Sequence, residues 1–244
     1  MNSAKTDKHI ALLLAGGQGN RMHTGCPKQF ATIGGKPVIA YTMRAFQRHP
    51  LIHSIYVVCH PEWANLVTQT AASEQITKFR RTIPAGDNSM LSLQNGVRSI
   101  RHDEPGNPAI LTHEAVRPLV SAHIITNNIR TFHSFGNAIT AIKSNEAYML
   151  SHDDASSSRC IPREVLFRAQ TPQTFCLNHL EIILKKAGDL KARPHQSLYT
   201  MTAALFPQTK LYISPGSELN FKLTLPIDMD VLEALLTSKT LQLD

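Results

Sequence analysis

Ile10-Ala-Leu-Leu-Leu14, Ala15-Gly-Gly-Gln-Gly-Asn-Arg-Met22 and Pro27-Lys-Gln-Phe30 decide how this chain is read. The first run is a short apolar strand. The second is a glycine-rich turn, and two cations, Arg21 and Lys28, follow closely on it. Glycines let a backbone come close to a ligand and aim its N–H groups at phosphate oxygens. Arginine and lysine then hold the charge that develops when a phosphate is attacked. A nucleotide-handling enzyme is the first expectation. Two look-alikes fit poorly. The dinucleotide fingerprint needs a third glycine where counting from Gly17 and Gly19 gives Met22, and the ATPase phosphate loop needs a glycine followed by Lys and Ser or Thr.

Outward from this turn, apolar runs alternate with helical patterns, which predicts an α/β chain with a largely parallel sheet covered by helices. Strands are expected at Ile10–Leu14, Ile55–Cys59, Arg80–Ile83, Ala109–Thr112, Ala138–Ile142 and Lys210–Ile213, and helices near Val38–Arg48, Trp63–Ala72, Leu91–Ile100 and Ala122–Phe135. A last helix begins near Pro226, a favoured first-turn residue, and its Ile227, Val231 and Leu235 form a stripe expected to dock on the sheet. Lys143–Arg168 breaks the rhythm. It carries the polar run Ser151-His-Asp-Asp-Ala-Ser-Ser-Ser-Arg159 and exceeds the usual length of a connection, so it reads as a functional or mobile excursion.

Composition sets outer limits. At 244 residues, 42% of them hydrophobic and 18% charged, the chain suits one soluble domain with a small excursion. No stretch approaches the roughly 20 apolar residues that span a bilayer, and Met1–His9 is polar, without a signal-peptide core. A cytoplasmic protein with no membrane contact is expected. Cys26, Cys59, Cys160 and Cys176 are scattered, without zinc or redox spacing. The net charge of +7 suits an anionic partner. Lys and Arg are spread along the chain and no RNA-binding aromatic motif occurs, which argues against nucleic acid as that partner.

At this point the chain resembles the CTP-dependent cytidylyltransferases that act on sugar-alcohol phosphates. Gly16-Gly17-x-Gly19-x-Arg21-Met22 and Pro27-Lys28-Gln29 carry the resemblance. Four further segments follow in the right order: Gly86-Asp87-x4-Ser92, His113-Glu-Ala-Val-Arg-Pro118, Gln170-Thr-Pro-Gln173 with Phe175, and Phe221-Lys222-Leu-Thr224 with Pro226. The resemblance runs from about residue 10 to about residue 236. It implies a Rossmann-like three-layer nucleotidyltransferase fold over residues 1–244, with the segment at about 143–168 as an arm that exchanges between two subunits. It also implies transfer of CMP from CTP to a polyol phosphate. The default acceptor is 2-C-methyl-D-erythritol 4-phosphate of isoprenoid precursor synthesis. Ribitol 5-phosphate, giving CDP-ribitol for surface polymers, is the close alternative, and Pro61-Glu-Trp63 leans that way. A catalytically weak CTP-binding homologue is the rival from another class.

The chemistry asked of such a site is an in-line displacement at an α-phosphate. The acceptor phosphate is already ionised, so the site needs cations and a divalent metal more than a strong base. By resemblance, Arg21 and Lys28 are the catalytic cations. Leu14, Ala15, Gly16, Gly17, Gln18, Gly19, Gly86, Asp87, Ser92 and Glu114 surround the nucleotide, and Arg117, Arg163 and Lys222 hold the acceptor phosphate, Arg163 reaching across from the neighbouring subunit. Glu114 stands where the family has aspartate and is the candidate ligand for Mg²⁺, which favours oxygen donors. His113 reads as a support of the fold, and Asp87 as a possible helix cap. Departures from the family fall elsewhere: Ser89 stands for an arginine, an Asp-Thr pair is missing near Asn145–Tyr148, and Leu198-Tyr-Thr-Met201 replaces an acidic turn.

Overall fold

The computed structural model describes residues 8–17, 26–189 and 197–238. Its elements, in chain order, are β1 (His9–Leu14), β2 (Thr32–Ile33), β3 (Lys36–Pro37), α1 (Val38–Arg48), β4 (Ser54–Cys59), α2 (Ala64–Ser73), β5 (Phe79–Pro84), α3 (Ser89–Asp103), β6 (Ala109–Glu114) and α4 (Ala122–Phe135). Then come β7 (Asn137–Lys143), β8 (Tyr148–Leu150), β9 (Arg159–Ile161), β10 (Phe167–Cys176), α5 (Leu177–Asp189), α6 (Leu198–Leu205), β11 (Ile213–Pro215) and α7 (Ile227–Thr237). Seven strands form one sheet in the order β11-β7-β10-β6-β1-β4-β5. Strands β6, β1, β4 and β5 run parallel, as does the β11–β7 pair; β10 alone is antiparallel to its neighbours. The expected mostly parallel, three-layer architecture is the one observed.

Two-faced burial explains the uninterrupted apolar strands. On one face Ala11 and Leu13 of β1 and Ile55 and Val57 of β4 pack under α1, α2 and α4. On the other, Ile10, Leu12, Tyr56 and Val58 meet α3, α5 and α6. Side chains alternate in a strand, so one run serves both layers. Helix ends follow local chemistry. Ser121 caps α4, with Gly136 in the left-handed region closing it, and Asn88 caps α3 by accepting from Leu91 N–H at 2.9 Å.

Three expectations need correction. The cap of α3 is Asn88, not Asp87. The edge strand is Ile213–Pro215 rather than Lys210–Ile213, because the Asn137 side chain takes the segment before it, donating to Lys210 O at 3.0 Å and accepting from Tyr212 N–H at 3.0 Å. Finally, α7 buries Leu232, with Met229, Leu235 and Leu236 partly covered, against Ile33, Val38, Val116, Leu119 and Leu223, while Ile227 and Val231 face outward. Both sheet faces are already occupied, so α7 docks beside the sheet on β2, the start of α1 and the loop after β6. From Val231 to Leu232 its contact face is turned by roughly 100°, one residue of helix. Strand β10 and helix α5 lie where no element was expected, and Leu198–Met201, read as standing for a turn, is the first part of α6. The arm is a hairpin of β8 and β9 that leaves Met149 77% exposed. No helix among the described residues is long and apolar enough to cross a membrane.

Candidate active site

The strand order reverses at β1, since the chain goes first to β4 on one side and later to β6 on the other. Ligands of open α/β sheets bind outside the carboxyl ends of strands at such a point. A cavity of about 970 Å³ opens there. Its walls are the loops after β1, β5 and β6, the bend in β10, the start of α6 and the segment before α7. Leu14, Ala15, Gly16, Gly17, Lys28, Gly86, Asp87, Ser92, Glu114, Arg117 and Lys222 all line it, although more than 200 residues separate the first from the last. Gln18, Gly19 and Arg21 lie outside the described residues. Arg163 does not line the cavity within this chain. It sits on the arm in a 3-10 turn, its side chain 65% exposed, with Glu164 at 3.6 Å.

The loops that carry Gly16 and Gly86 are closely fitted. A Cβ on Gly16 would lie 2.9 Å from Ala85 Cβ, and one on Gly86 would overlap Leu91, so both positions exclude a side chain. Ser92 Oγ accepts from Gly86 N–H at 3.0 Å and donates to Gly86 O at 3.3 Å, which ties the second loop to the first turns of α3. Both polar backbone groups of Ala15 are used inside the protein. Its N–H donates to Val58 O at 2.7 Å, and its carbonyl accepts from Gln29 Nε2. The Ala15 N–H is therefore already committed and is not available for the backbone contact expected of it. Among the described residues nothing accepts from the N–H groups of Gly16 and Gly17.

Opposite these loops, one carboxylate organises two cations. Glu114 Oε2 accepts from Arg117 Nε at 2.7 Å, and Glu114 Oε1 pairs with Lys222. Burial pushes the Glu114 carboxyl up, but the charges of Lys222 and Arg117 outweigh it and hold the group below its ordinary range. Arg117 is largely buried, and its second nitrogen donates to Asn220 O at 2.7 Å. Under this cluster lies His113, wholly buried. Its Nε2–H donates to Arg117 O at 3.2 Å, which leaves Nδ1 to accept from Thr171 Oγ1 at 3.0 Å, and Thr171 Oγ1 accepts from Glu114 N–H at 3.1 Å. Burial pushes the imidazole down to about 4, so it is neutral. His113 supports the fold, as expected, by fixing the backbone from Glu114 to Arg117.

Sequence reasoning assigned no role to several lining residues: Gln29, Gln170, Thr171, Gln173 and Ser197. Gln29 and the Gln-Thr-Pro-Gln segment stood in the quoted motifs, but nothing in spacing says what an amide side chain will reach. The register of β10 shifts between Ala169 and Gln173. There Gln173 Oε1 accepts from Tyr199 N–H at 3.0 Å, and Asn220 Nδ2 donates to Thr171 O at 2.8 Å. These bonds join β10 to α6 and to the loop that carries Lys222.

Comparison with known proteins places the chain in a family. The model of the IspD family, 2-C-methyl-D-erythritol 4-phosphate cytidylyltransferase, matches residues 9–238. A ribitol-5-phosphate cytidylyltransferase from Lacticaseibacillus paracasei is 32% identical over 95% of this chain and 99% of its own. A 2-C-methyl-D-erythritol 4-phosphate cytidylyltransferase from Clostridium acetobutylicum is 31% identical over 96% of this chain and all of its own. The crystal structure of 4-diphosphocytidyl-2C-methyl-D-erythritol synthase from Anaerococcus prevotii superposes with a TM-score of 0.83 at 21% identity, covering 95% of this chain and 96% of that one, a likeness of fold. With a cavity at the switch point, lined by the glycine-rich turn and by the Glu114–Arg117–Lys222 cluster, and a family match from residue 9 to residue 238, this chain belongs to the IspD family of cytidylyltransferases.

Proposed function

We propose that the chain transfers CMP from CTP to a polyol phosphate, with 2-C-methyl-D-erythritol 4-phosphate as the first acceptor to test. One observation carries the reading: two sets of anion-holding groups face one cavity. The Gly16–Gly17 turn with Lys28 forms one, and Arg117 with Lys222 around Glu114 forms the other. Two polyanions repel in water, and the site brings their reacting atoms together against that repulsion. An oxygen of the acceptor phosphate attacks the α-phosphorus of CTP, the bond to the bridging oxygen breaks, and pyrophosphate leaves. Gly16 and Gly17 N–H groups receive phosphate oxygens, while Lys28 and Arg21 stabilise the added charge of the transition state. Arg117 and Lys222 orient the acceptor. No base is required of His113, which is neutral and already bonded on both ring nitrogens.

The donor set around Glu114 suits Mg²⁺ brought in with a nucleotide. No group of three or more His, Cys, Asp or Glu side chains among the described residues forms a metal site, and magnesium held mainly by substrate phosphates needs only one or two carboxylates. Each Glu114 oxygen keeps a lone pair beyond its bond to a cation. When bound, the metal supplies further charge neutralisation on the phosphates.

The reading extends to a single nucleotidyltransferase domain that works as a homodimer in the cytoplasm. The arm leaves Tyr148, Met149, Leu150, Val165 and Phe167 exposed, an apolar set that suits burial against a second copy. Arg163 on that arm then enters the partner's cavity. A second acceptor, ribitol 5-phosphate, is supported by the ribitol-5-phosphate cytidylyltransferase at 32% identity. Mass spectrometry of the product from CTP and each acceptor tests the reading. CDP-methylerythritol is expected, CDP-ribitol alone moves the chain to the second acceptor, and no CDP-polyol from either overturns both.

A further inference from the structure

We infer that Gln29 is the positioning residue of the nucleotide loop: its side-chain amide holds the carbonyls of Ala15 and Gly17 so that the Gly16 N–H, and not these carbonyl oxygens, faces the triphosphate. The inference rests on the nucleotide reading above. Gln29 is 1% exposed. Its Nε2 donates to Ala15 O at 2.7 Å and to Gly17 O at 2.7 Å, so both hydrogens of one NH₂ group are used on the turn itself. Both partners are carbonyls, which only accept, so the amide presents its nitrogen and not its oxygen.

The consequence follows from peptide geometry. In a trans peptide the C=O and N–H bonds point in opposite directions. Ala15 O and Gly16 N–H belong to the same plane. Drawing Ala15 O onto Gln29 therefore turns Gly16 N–H the other way, and Gly16 lines the cavity. The bond to Gly17 O holds a second carbonyl of the turn on the same amide. Ala15 N–H is anchored independently on Val58 O at the end of β4. The Ala15 and Gly17 carbonyls are thus bonded to one amide, while the Gly16 N–H, which the first of these bonds orients, has no acceptor among the described residues. Glycine peptides flip readily because both signs of φ are open to them. Without the clamp, a flipped plane puts a carbonyl dipole against phosphate. Lys28 is the adjacent residue, so the strap that places the cation also sets the backbone.

Two variants test the clamp. Gln29→Leu keeps the size and removes both donors. Gln29→Glu keeps the shape, but its ionised form has no donor and its protonated form has one. CTP binding is measured by calorimetry without acceptor, across pH 5.5–8.5, with circular dichroism as the check on folding. Wild type is expected to bind no more tightly at pH 5.5 than at pH 8.5, because the terminal phosphate of CTP gains a proton towards the acid end. Gln29→Leu is expected to bind at least roughly 30-fold more weakly, two lost hydrogen bonds in a buried site. Gln29→Glu is expected to bind as poorly at pH 8.5 and to regain affinity towards pH 5.5, a recovery that a merely structural role does not produce. If Gln29→Leu does not fold, the profile of Gln29→Glu decides. Wild-type affinity in either variant at pH 8.5, or a flat profile for Gln29→Glu, overturns the clamp and leaves the nucleotide reading standing. Absence of CTP binding by wild type overturns the nucleotide reading itself, and the clamp with it.

Discussion

At the scale of single residues, charge does the chemistry and buried neutral groups hold the charges in place. Lys28 lines the cavity beside the glycine turn. Lys28→Ala is expected to lower acceptor-dependent turnover by roughly 10²–10³-fold, the usual loss when one charge-stabilising group is removed, with the circular dichroism spectrum unchanged. Near-wild-type turnover removes Lys28 from the site. His113 gives a pH prediction. Its pKa is about 4 in the fold against an ordinary 6.5, so above pH 6.5 both folded and unfolded chains carry it neutral. As pH falls from 6.5 towards 4, the unfolded chain takes up a proton that the native state does not. Stability is therefore lost across that window, by up to about 3 kcal/mol from this group. Urea unfolding of wild type and His113→Asn between pH 4.5 and 7.5 measures it, and the variant should show the shallower acid loss. Equal pH slopes would show that His113 is not the source.

At the scale of elements, what could be read from the sequence and what could not follow from where polar groups find partners. β1, β4 and β6 with the helices α1 and α4 were legible, because strands buried on both faces are apolar throughout and amphipathic helices declare their period. Strand β10 was not. Phe167–Cys176 contains Gln170, Thr171, Pro172, Gln173 and Thr174, a composition that argues against a central strand. The polar groups are satisfied only in three dimensions: Asn128 Nδ2 donates to Pro172 O at 2.9 Å and its Oδ1 accepts from Thr174, while Thr140 Oγ1 donates to Pro172 O at 2.7 Å. The same polarity lets β10 bend and bring Gln170 and Thr171 to the cavity. The quoted motifs meet at one cavity, yet the strand that carries one of them was hidden by its own polar residues. The loop after β5 belongs to this scale as well. Gly86→Ala sets a Cβ against Leu91, and a loss of about 1–3 kcal/mol in unfolding free energy is expected from overpacking, with weakened CTP binding. Unchanged stability and binding would mean that the loop relaxes freely.

For the molecule as a whole, one sheet collects residues from both ends of the chain at a single crevice. The glycine turn follows the first strand, and Lys222 stands just before the last helix. The arm is the exception, since it projects exposed apolar residues and carries Arg163 away from its own cavity. The proposed homodimer gives both features a use. Met149→Glu with Tyr148→Ser on the arm is expected to shift sedimentation from the two-chain to the one-chain species and to reduce turnover with it. Full activity from a monomer would remove Arg163 of a partner subunit from the reaction. The central claim, that this cavity joins a nucleotide to a polyol phosphate, is tested most directly by pyrophosphate release from CTP and Mg²⁺ with and without 2-C-methyl-D-erythritol 4-phosphate or ribitol 5-phosphate. The account predicts release only when CTP and one of these acceptors are both present. Release independent of the acceptor, or none with either acceptor by a protein that binds CTP, would contradict it.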